Sequence, residues 1–242
     1  MNIALIGYGK MGKIIEQIAL ERGHTISFVV TSANKDFKSE ELKNSDVAIE
    51  FTRPEFAVKN MHRCFEAQVP VVVGTTGWYD KFDAVKNCCT EHNGTLFHAT
   101  NFSLGVNIFY EINKQLAALM SPQTDYKAHV EETHHTEKLD APSGTAISIA
   151  EGIIANHQAY NSWKLVTENF ELSTLNFQLP VTAHRLPNVP GTHTVIYESD
   201  VDKIELTHEA KNRKGFALGA VLAAEFAHNK KGIFTMKDLL KF

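Results

Sequence analysis

Cysteine is scarce in this chain, and the few present are not arranged for chemistry. Three occur in 242 residues, Cys64, Cys88 and Cys89. An odd number with no CxxC pair excludes a disulfide framework and points to a reducing compartment, the cytoplasm. An excess of either charge is also lacking, since 24 Lys and Arg stand against 28 Asp and Glu. That balance leaves no basic field to gather nucleic acid or anionic lipid, so small molecules are the expected partners. Long apolar runs are missing too. The first, Ile3 to Ile6, meets Gly7 and is too short for a signal peptide or a membrane span. No internal repeat or low-complexity tract interrupts the chain. What is present is 43% hydrophobic residues, enough for the cores of one large domain or two modest ones.

The order of patterns predicts the fold class. Ile3 to Ile6 reads as a buried parallel strand. Met11, Ile14, Ile15, Ile18 and Ala19 then share one helical face, with Gly23 as the stop. Strand-like runs recur at Ile26 to Val30, Val47 to Phe51, Val69 to Val73 and Thr95 to Ala99. A helix carrying Phe56, Met61 and Phe65 and another near Lys81 to Cys89 lie between them. This alternation predicts an α/β, Rossmann-like, doubly wound parallel sheet. After Asn101 the texture changes. A helix at about Val106 to Met120 leads to Tyr126 to Thr133, a helix from Thr145, and alternating segments at Thr192 to Glu198 and Lys203 to His208 of the kind an antiparallel sheet with one wet face shows. A second α+β domain for substrate and assembly is expected over 105–213, with 1–104 and 214–242 forming the dinucleotide domain. The apolar helix Phe216 to His228 would complete that first domain.

Between the first strand and helix lies Gly7-Tyr8-Gly9-Lys10-Met11-Gly12, a G-x-G-x-x-G turn. Its first glycine permits the tight turn, the second lets backbone approach a pyrophosphate, and the third lets helix pack on strand. A purely structural turn is the alternative, but this placement favours dinucleotide binding. No carboxylate ends strand two, where an NAD-selective site would want one. Thr31, Ser32 and Lys35 stand there instead and suit a 2′-phosphate, unless Asp36 curls back, so the cofactor is NADPH or NADH with a slight lean to the former. Three further strand ends carry hydroxyls, amides and glycine suited to a nicotinamide ribose: Phe51-Thr52-Arg53-Pro54-Glu55, Gly74-Thr75-Thr76-Gly77-Trp78 and Ala99-Thr100-Asn101-Phe102-Ser103. Thr52 and Asn101 also make ordinary helix caps.

The densest chemistry lies between Glu131 and Ala146. Ser143-Gly144-Thr145 precedes an apolar-periodic helix, so amides there are free to bind a carboxylate. His134, His135 and Lys138 upstream supply donors for proton transfer and for a second anionic group. Capping by Asp140 or Ser143 and surface histidines are the plainer readings. A metal site is a third, since Glu131, Glu132, His134, His135 and Asp140 are ligand types. Adjacent histidines on a strand point to opposite faces, however, and no HExxH spacing gathers them, so no metal is expected.

The run His134-His135-x-x-Lys138-x-Asp140-Ala141-Pro142-Ser143-Gly144-Thr145-Ala146 resembles the signature of the 4-hydroxy-tetrahydrodipicolinate reductases, also called dihydrodipicolinate reductases. The segments Gly7 to Gly12, Phe51 to Glu55, Gly74 to Gly77 and Asn101 to Val106 are similar to that family's motifs in the same order. The glycine turn is one residue tighter, and Ser162 to Pro190 is shorter than in better-known members. The resemblance implies a homotetramer, His134 as acid/base residue, and Lys138 as a proton donor that also steadies the substrate. It implies that His135, Gly144 and Thr145 hold the substrate's carboxylates, and that Gly7, Lys10, Met11, Gly12, Gly74, Thr75, Thr76 and Asn101 line the cofactor site. The chemistry agrees: a cyclic imine dicarboxylate needs two anion clamps, a hydride donor and a proton source. Two rivals share the glycine turn. One is another two-domain Rossmann dehydrogenase acting on a semialdehyde or a sugar, which needs no anion site after the histidines. The other is a non-catalytic dinucleotide sensor, which needs no proton donors.

Overall fold

A computed structural model describes residues 1–167 and 177–242. The least family-like stretch, Ser162 to Pro190, includes residues 168–176, which lie outside the described residues. The chain divides into two compact units, Met1–Leu104 with Arg213–Phe242, and Gly105–Asn212.

In the first unit, strands β1 (Asn2–Ile6), β2 (Thr25–Val30), β3 (Val47–Glu50), β4 (Val71–Val73), β5 (Thr95–His98) and β11 (Gly232–Phe234) form one sheet. All neighbours are parallel, in the order β2-β1-β3-β4-β5-β11. Successive side chains of a strand point to opposite faces, so each face has its own core. Ile3 and Leu5 pack with Ile15 of α1 (Lys10–Glu21) and with Val221 and Ala224 of α6 (Lys214–Ala227). Ala4 and Ile6 pack with Met61 and Phe65 of α2 (Pro54–Glu66) and Val85 of α3 (Phe82–Glu91). Both faces being covered explains the near-continuous apolar strands. The alanines of α6 let it lie close: a Cβ on Gly219 would stand 1.7 Å from the Phe102 carbonyl oxygen. Strand β4 begins two residues later than the apolar run predicts, because Pro70 inside that run has no amide to give the ladder, although its carbonyl accepts from Ala48 N at 2.8 Å.

In the second unit, β6 (Lys127–His134), β7 (Ser162–Val166), β8 (Gln178–Arg185), β9 (Thr192–Glu198) and β10 (Lys203–Glu209) form a sheet in the order β10-β9-β6-β8-β7. β9 runs antiparallel to both β6 and β10, as the alternation predicts, but β6, β8 and β7 are parallel, so the sheet is mixed. Its core joins Val130, Val181, Val195 and Tyr197 to Phe109 and Ala117 of α4 (Leu104–Met120) and Ile149 and Ile153 of α5 (Gly144–Ile154). Strand alternation on β6 turns Ala128, Val130, Glu132 and His134 inward. The first two build the core; the last two build the site.

Candidate active site

The parallel order reverses between β1 and β3, and ligands of open α/β sheets bind outside the carboxyl ends of the strands at such a point. Gly7 ends β1 there, donating its amide to Val30 O at 3.0 Å, while Phe51 N donates to Ile6 O at 2.8 Å. The chains approach closely: a Cβ on Gly7, whose φ is +105°, would lie 2.1 Å from the Phe51 carbonyl oxygen, and one on Gly12 would lie 2.2 Å from that of Gly7. A cavity of about 410 Å³ opens here, lined by Gly9, Lys10, Met11, Gly12, Phe51, Thr52, Pro54, Gly74, Thr75 and Thr76.

This cavity fits a dinucleotide phosphate. Gly9 caps α1 with no side chain accepting from its first turn, and a Cβ at Gly9 would meet nothing within 4 Å. First-turn amides thus face open space at the positive end of a helix. Gly74 keeps room beside Phe51, whose ring a Cβ there would strike at 2.1 Å.

Other expected cofactor residues lie around it in different ways. Tyr8 hydrogen-bonds Glu16 on α1 and does not line the cavity. Thr31 and Ser32 are exposed at the end of β2, where Asn34 Oδ1 accepts from the Thr31 amide at 2.7 Å. Asn101 Oδ1 accepts from Ser103 N at 2.9 Å, a capping geometry. Phe102 requires a correction: its side chain is buried between Phe51 and Phe97, at 5.7 and 5.9 Å between ring centroids, so only its backbone is left for a ligand. Ala99 is half-buried at the end of β5. Thr52, flagged only as one strand end among three, ties two loops together by accepting Thr75 as partner: its amide donates to Thr75 Oγ1 at 2.8 Å.

Beneath Thr52, the fully buried Glu50 accepts from the Thr52 hydroxyl and from Asn60 Nδ2 at 3.2 Å. Burial raises its pKa against the opposing hydrogen bonds from Thr52, Thr75 and Asn60. A carboxyl whose folded pKa exceeds its unfolded value stabilises the fold fully below the latter, about 4.3, and loses that contribution as pH rises through the folded value. Glu50→Gln, neutral at every pH, is therefore expected to be more stable than the native chain at neutral pH and equal to it below about pH 4. Urea unfolding across that range checks this; an equal deficit of the variant at all pH values contradicts it.

In the second unit, Glu132 stands opposite His193 in the β6–β9 register, and His134 opposite Arg185 in the β6–β8 register. His134 ends β6, only 8% exposed, with Nδ1 3.2 Å from Glu132 Oε2. His135, the first residue after β6, is half-buried. The turn that follows carries Lys138, whose Nζ donates to both oxygens of Asp140 at 2.7 Å. Arg185 fastens this turn. Its Nε donates to Lys138 O at 3.2 Å, its Nη2 to Asp140 O at 2.6 Å and to Glu132 Oε1 at 3.2 Å.

Ser143 also needs correcting as a substrate donor, because both its groups are committed inside the protein. Its amide donates to Glu132 Oε1 at 2.9 Å, and its hydroxyl caps α5, accepting from Ala146 N at 3.2 Å beside His193 Nε2 at 3.2 Å. Gly144 and Thr145, the first residues of α5, keep amides with no carbonyl one turn back to receive them.

Sequence reasoning missed Arg185, Gly191 and His193 as parts of this site, since each comes from a distant strand or turn. Gly191, at φ +153°, lies against the outer edge of the catalytic candidate: a Cβ there would sit 2.9 Å from His134 Nε2. Gly191→Ala is expected to lower kcat/KM by about tenfold or more by crowding that nitrogen, and to cost about 1–3 kcal/mol of stability because a residue with a Cβ is strained at this φ; steady-state kinetics beside thermal unfolding check it.

Glu132, His134 and His193 offer ligand atoms within 4.8 Å of one another, a grouping the adjacent-histidine argument did not foresee. The guanidinium on the other oxygen of Glu132 opposes a dication, while the distances of 3.2 and 3.6 Å from Oε2 to the imidazoles suit proton sharing. Burial alone would raise the Glu132 carboxyl, but hydrogen bonds from His134, His193 and Ser143 outweigh it and hold it well below the usual carboxylate range.

A glycine turn at the switch point of a parallel sheet, and a separate sheet unit carrying proton donors beside an anion site, define a class: two-unit oxidoreductases that work with a nicotinamide dinucleotide. Comparison with known proteins narrows this class, and the chain belongs to the dihydrodipicolinate reductase family. Residues 1–102 match that family's N-terminal model and residues 105–240 its C-terminal one. A 4-hydroxy-tetrahydrodipicolinate reductase of Christiangramia forsetii is 48% identical over 99% of this chain and 98% of its own length. One from Neisseria meningitidis is 34% identical over 93% of this chain and 83% of its own. The dipicolinate-bound dihydrodipicolinate reductase from Paenisporosarcina sp. TG-14 shares the fold, with a TM-score of 0.79 at 21% identity over 97% of each chain. The chain is thus an NAD(P)H-dependent reductase of diaminopimelate and lysine biosynthesis, and neither rival reading is favoured.

Proposed function

We propose that the chain reduces the cyclic imine dicarboxylate derived from 4-hydroxy-tetrahydrodipicolinate to tetrahydrodipicolinate, with His134 as the acid. One observation carries the assignment of roles: a single short turn, fastened by Arg185, joins His134 at the end of β6 to the free amides that open α5, with Lys138 between them. A bound nicotinamide supplies the hydride. Gly144 and Thr145 amides and His135 hold the two carboxylates, Lys138 offsets the negative charge that develops on hydride addition, and His134 delivers the proton to the electron-rich carbon.

The first unit holds the dinucleotide, its phosphates on the Gly9 to Gly12 turn and its nicotinamide end served by Gly74, Thr75, Thr76, Ala99, Asn101 and the Phe102 backbone. NADPH is favoured over NADH. Asp36 pairs with Lys59 at 3.3 Å and Arg63 at 3.9 Å and does not stand in for the missing ribose carboxylate, while Thr31, Ser32 and Lys35 suit a 2′-phosphate. The protein works in the cytoplasm as a homotetramer. Its three cysteines are free thiols, and no helix among the described residues is long and apolar enough to cross a membrane.

The test is oxidation of NADPH and of NADH with substrate freshly made from pyruvate and aspartate semialdehyde by the preceding synthase. Rapid substrate-dependent oxidation, faster with NADPH at limiting cofactor, is expected. No oxidation with either, in a chain that still binds one of them, overturns the reading. Light scattering on the eluted protein tests the tetramer.

A further inference from the structure

We infer that Glu132 is the positioning residue of His134: it keeps the proton of the imidazole on Nδ1, so that Nε2 is the nitrogen presented to substrate. The inference rests on the acid role assigned to His134 above. The side chain of Glu132 is fully buried, and its two oxygens do different work. Oε1 accepts from two groups that can only donate, the Ser143 amide at 2.9 Å and Arg185 Nη2 at 3.2 Å. Oε2 is left for the histidines, with His134 Nδ1 at 3.2 Å and His193 Nε2 at 3.6 Å.

The His134 contact lies off the line of an ideal hydrogen bond, yet Oε2 and Nδ1 are both buried and neither has another hydrogen-bond partner among the described residues. An ionised carboxylate only accepts, so a buried nitrogen facing it stays protonated, and the ring exchanges its proton at the other nitrogen. That other nitrogen is Nε2, which faces Gly191, where no side chain intervenes. The charged and titratable groups around the pair are Glu132 on β6, Arg185 on β8, His193 on β9, and Lys138 and Asp140 on the connecting turn. A carboxylate serving the fold alone needs only the Ser143 and Arg185 contacts; an Oε2 that faces His134 Nδ1 at 3.2 Å, nearer than His193 Nε2 at 3.6 Å, is what the positioning role adds.

Glu132→Gln separates the two roles. Because Ser143 N and Arg185 Nη2 both donate, the amide oxygen must take the place of Oε1, which puts the NH₂ where Oε2 was. The anchors survive, but the group facing Nδ1 is now a donor, and the neutral ring is driven to the opposite tautomer. The experiment combines kinetics with imidazole ¹⁵N NMR on native, Glu132→Gln and His134→Asn proteins labelled at their histidines, twelve in the native chain. The His134 signals are identified by their loss in His134→Asn. At about pH 9, above the ordinary histidine range, native His134 is expected as the Nδ1–H form and Glu132→Gln as the Nε2–H form. In Glu132→Gln, kcat should fall by about 10²–10⁴-fold with KM changed less than about threefold.

An Nε2–H tautomer in the native protein overturns the inference by itself, even where the glutamine variant does not fold. So does a glutamine variant with native kcat while His134→Asn is inactive. Native turnover in His134→Asn overturns the acid assignment instead, whatever the tautomer.

Discussion

Lys138→Ala is expected to lower turnover by about 10²–10⁴-fold and to leave the nucleotide dissociation constant unchanged. The prediction follows from how Lys138 is held. Its backbone is held by Arg185 Nε on its carbonyl oxygen at 3.2 Å and, within the turn, by its amide on His135 O at 3.1 Å, so removing the side chain loses its ion pair with Asp140 but keeps these backbone bonds. What disappears is the ammonium on the turn between His134 and the α5 amides, which the proposed mechanism uses to offset charge formed in the transition state. Lys138→Arg keeps the charge but replaces the compact ammonium by a larger planar guanidinium that does not give up its proton. It should recover KM more than kcat, separating the binding contribution from the proton-donor one. Steady-state kinetics with nucleotide titration by fluorescence check all three proteins. A Lys138→Ala protein with native kcat removes the residue from the mechanism.

The second large effect concerns two glycines of one turn that differ in what surrounds them. A Cβ on Gly12 would lie 2.2 Å from Gly7 O and 3.1 Å from Gly7 C, both backbone atoms that no side-chain rotation moves. Gly12→Ala must separate α1 from the end of β1. It is expected to cost about 1–3 kcal/mol of stability and to abolish measurable nucleotide binding. Gly9 has nothing within 4 Å of its would-be Cβ and an ordinary φ of −83°. Gly9→Ala should therefore unfold like the native chain, yet bind nucleotide about ten- to a hundredfold more weakly, because the methyl occupies space a phosphate uses. Differential scanning calorimetry beside NADPH titration reads both. Loss of stability in Gly9→Ala, or native affinity in it, contradicts the cradle described for this turn.

These two glycines show where reading the sequence succeeds and where it stops. The G-x-G-x-x-G spacing between an apolar run and an amphipathic one is local chemistry, and it located the turn. That one glycine answers to the fold and the other to a ligand depends on α1 packing against the end of β1, which sets Gly7 O against Gly12 and nothing against Gly9. The short strand β11 was not legible, since three residues carry no period, whereas the later start of β4 was, because Pro70 interrupts its apolar run. Phe102 is aromatic at a strand end, a pattern shared by ligand-facing and core residues; packing against Phe51 and Phe97 made it core. Ser143 stood where a donor was wanted, but its oxygen caps α5 while the hydroxyl is buried against His193 Nε2 at 3.2 Å.

By itself the sequence determined what proximity along the chain can carry. That includes the alternation behind the parallel sheet, the helix start after Ser143, and a run of residues specific enough to imply the family. Only the tertiary structure decided what faces His134. Its neighbours Glu132, Arg185, Gly191 and His193 come from strands β6, β8 and β9 and the turn between the last two, and they meet through register and burial. A carboxylate, a guanidinium and a second imidazole acquire a role beside a catalytic histidine only once water is excluded and their remaining partners are set. Those conditions belong to the folded sheet, not to any stretch of the chain.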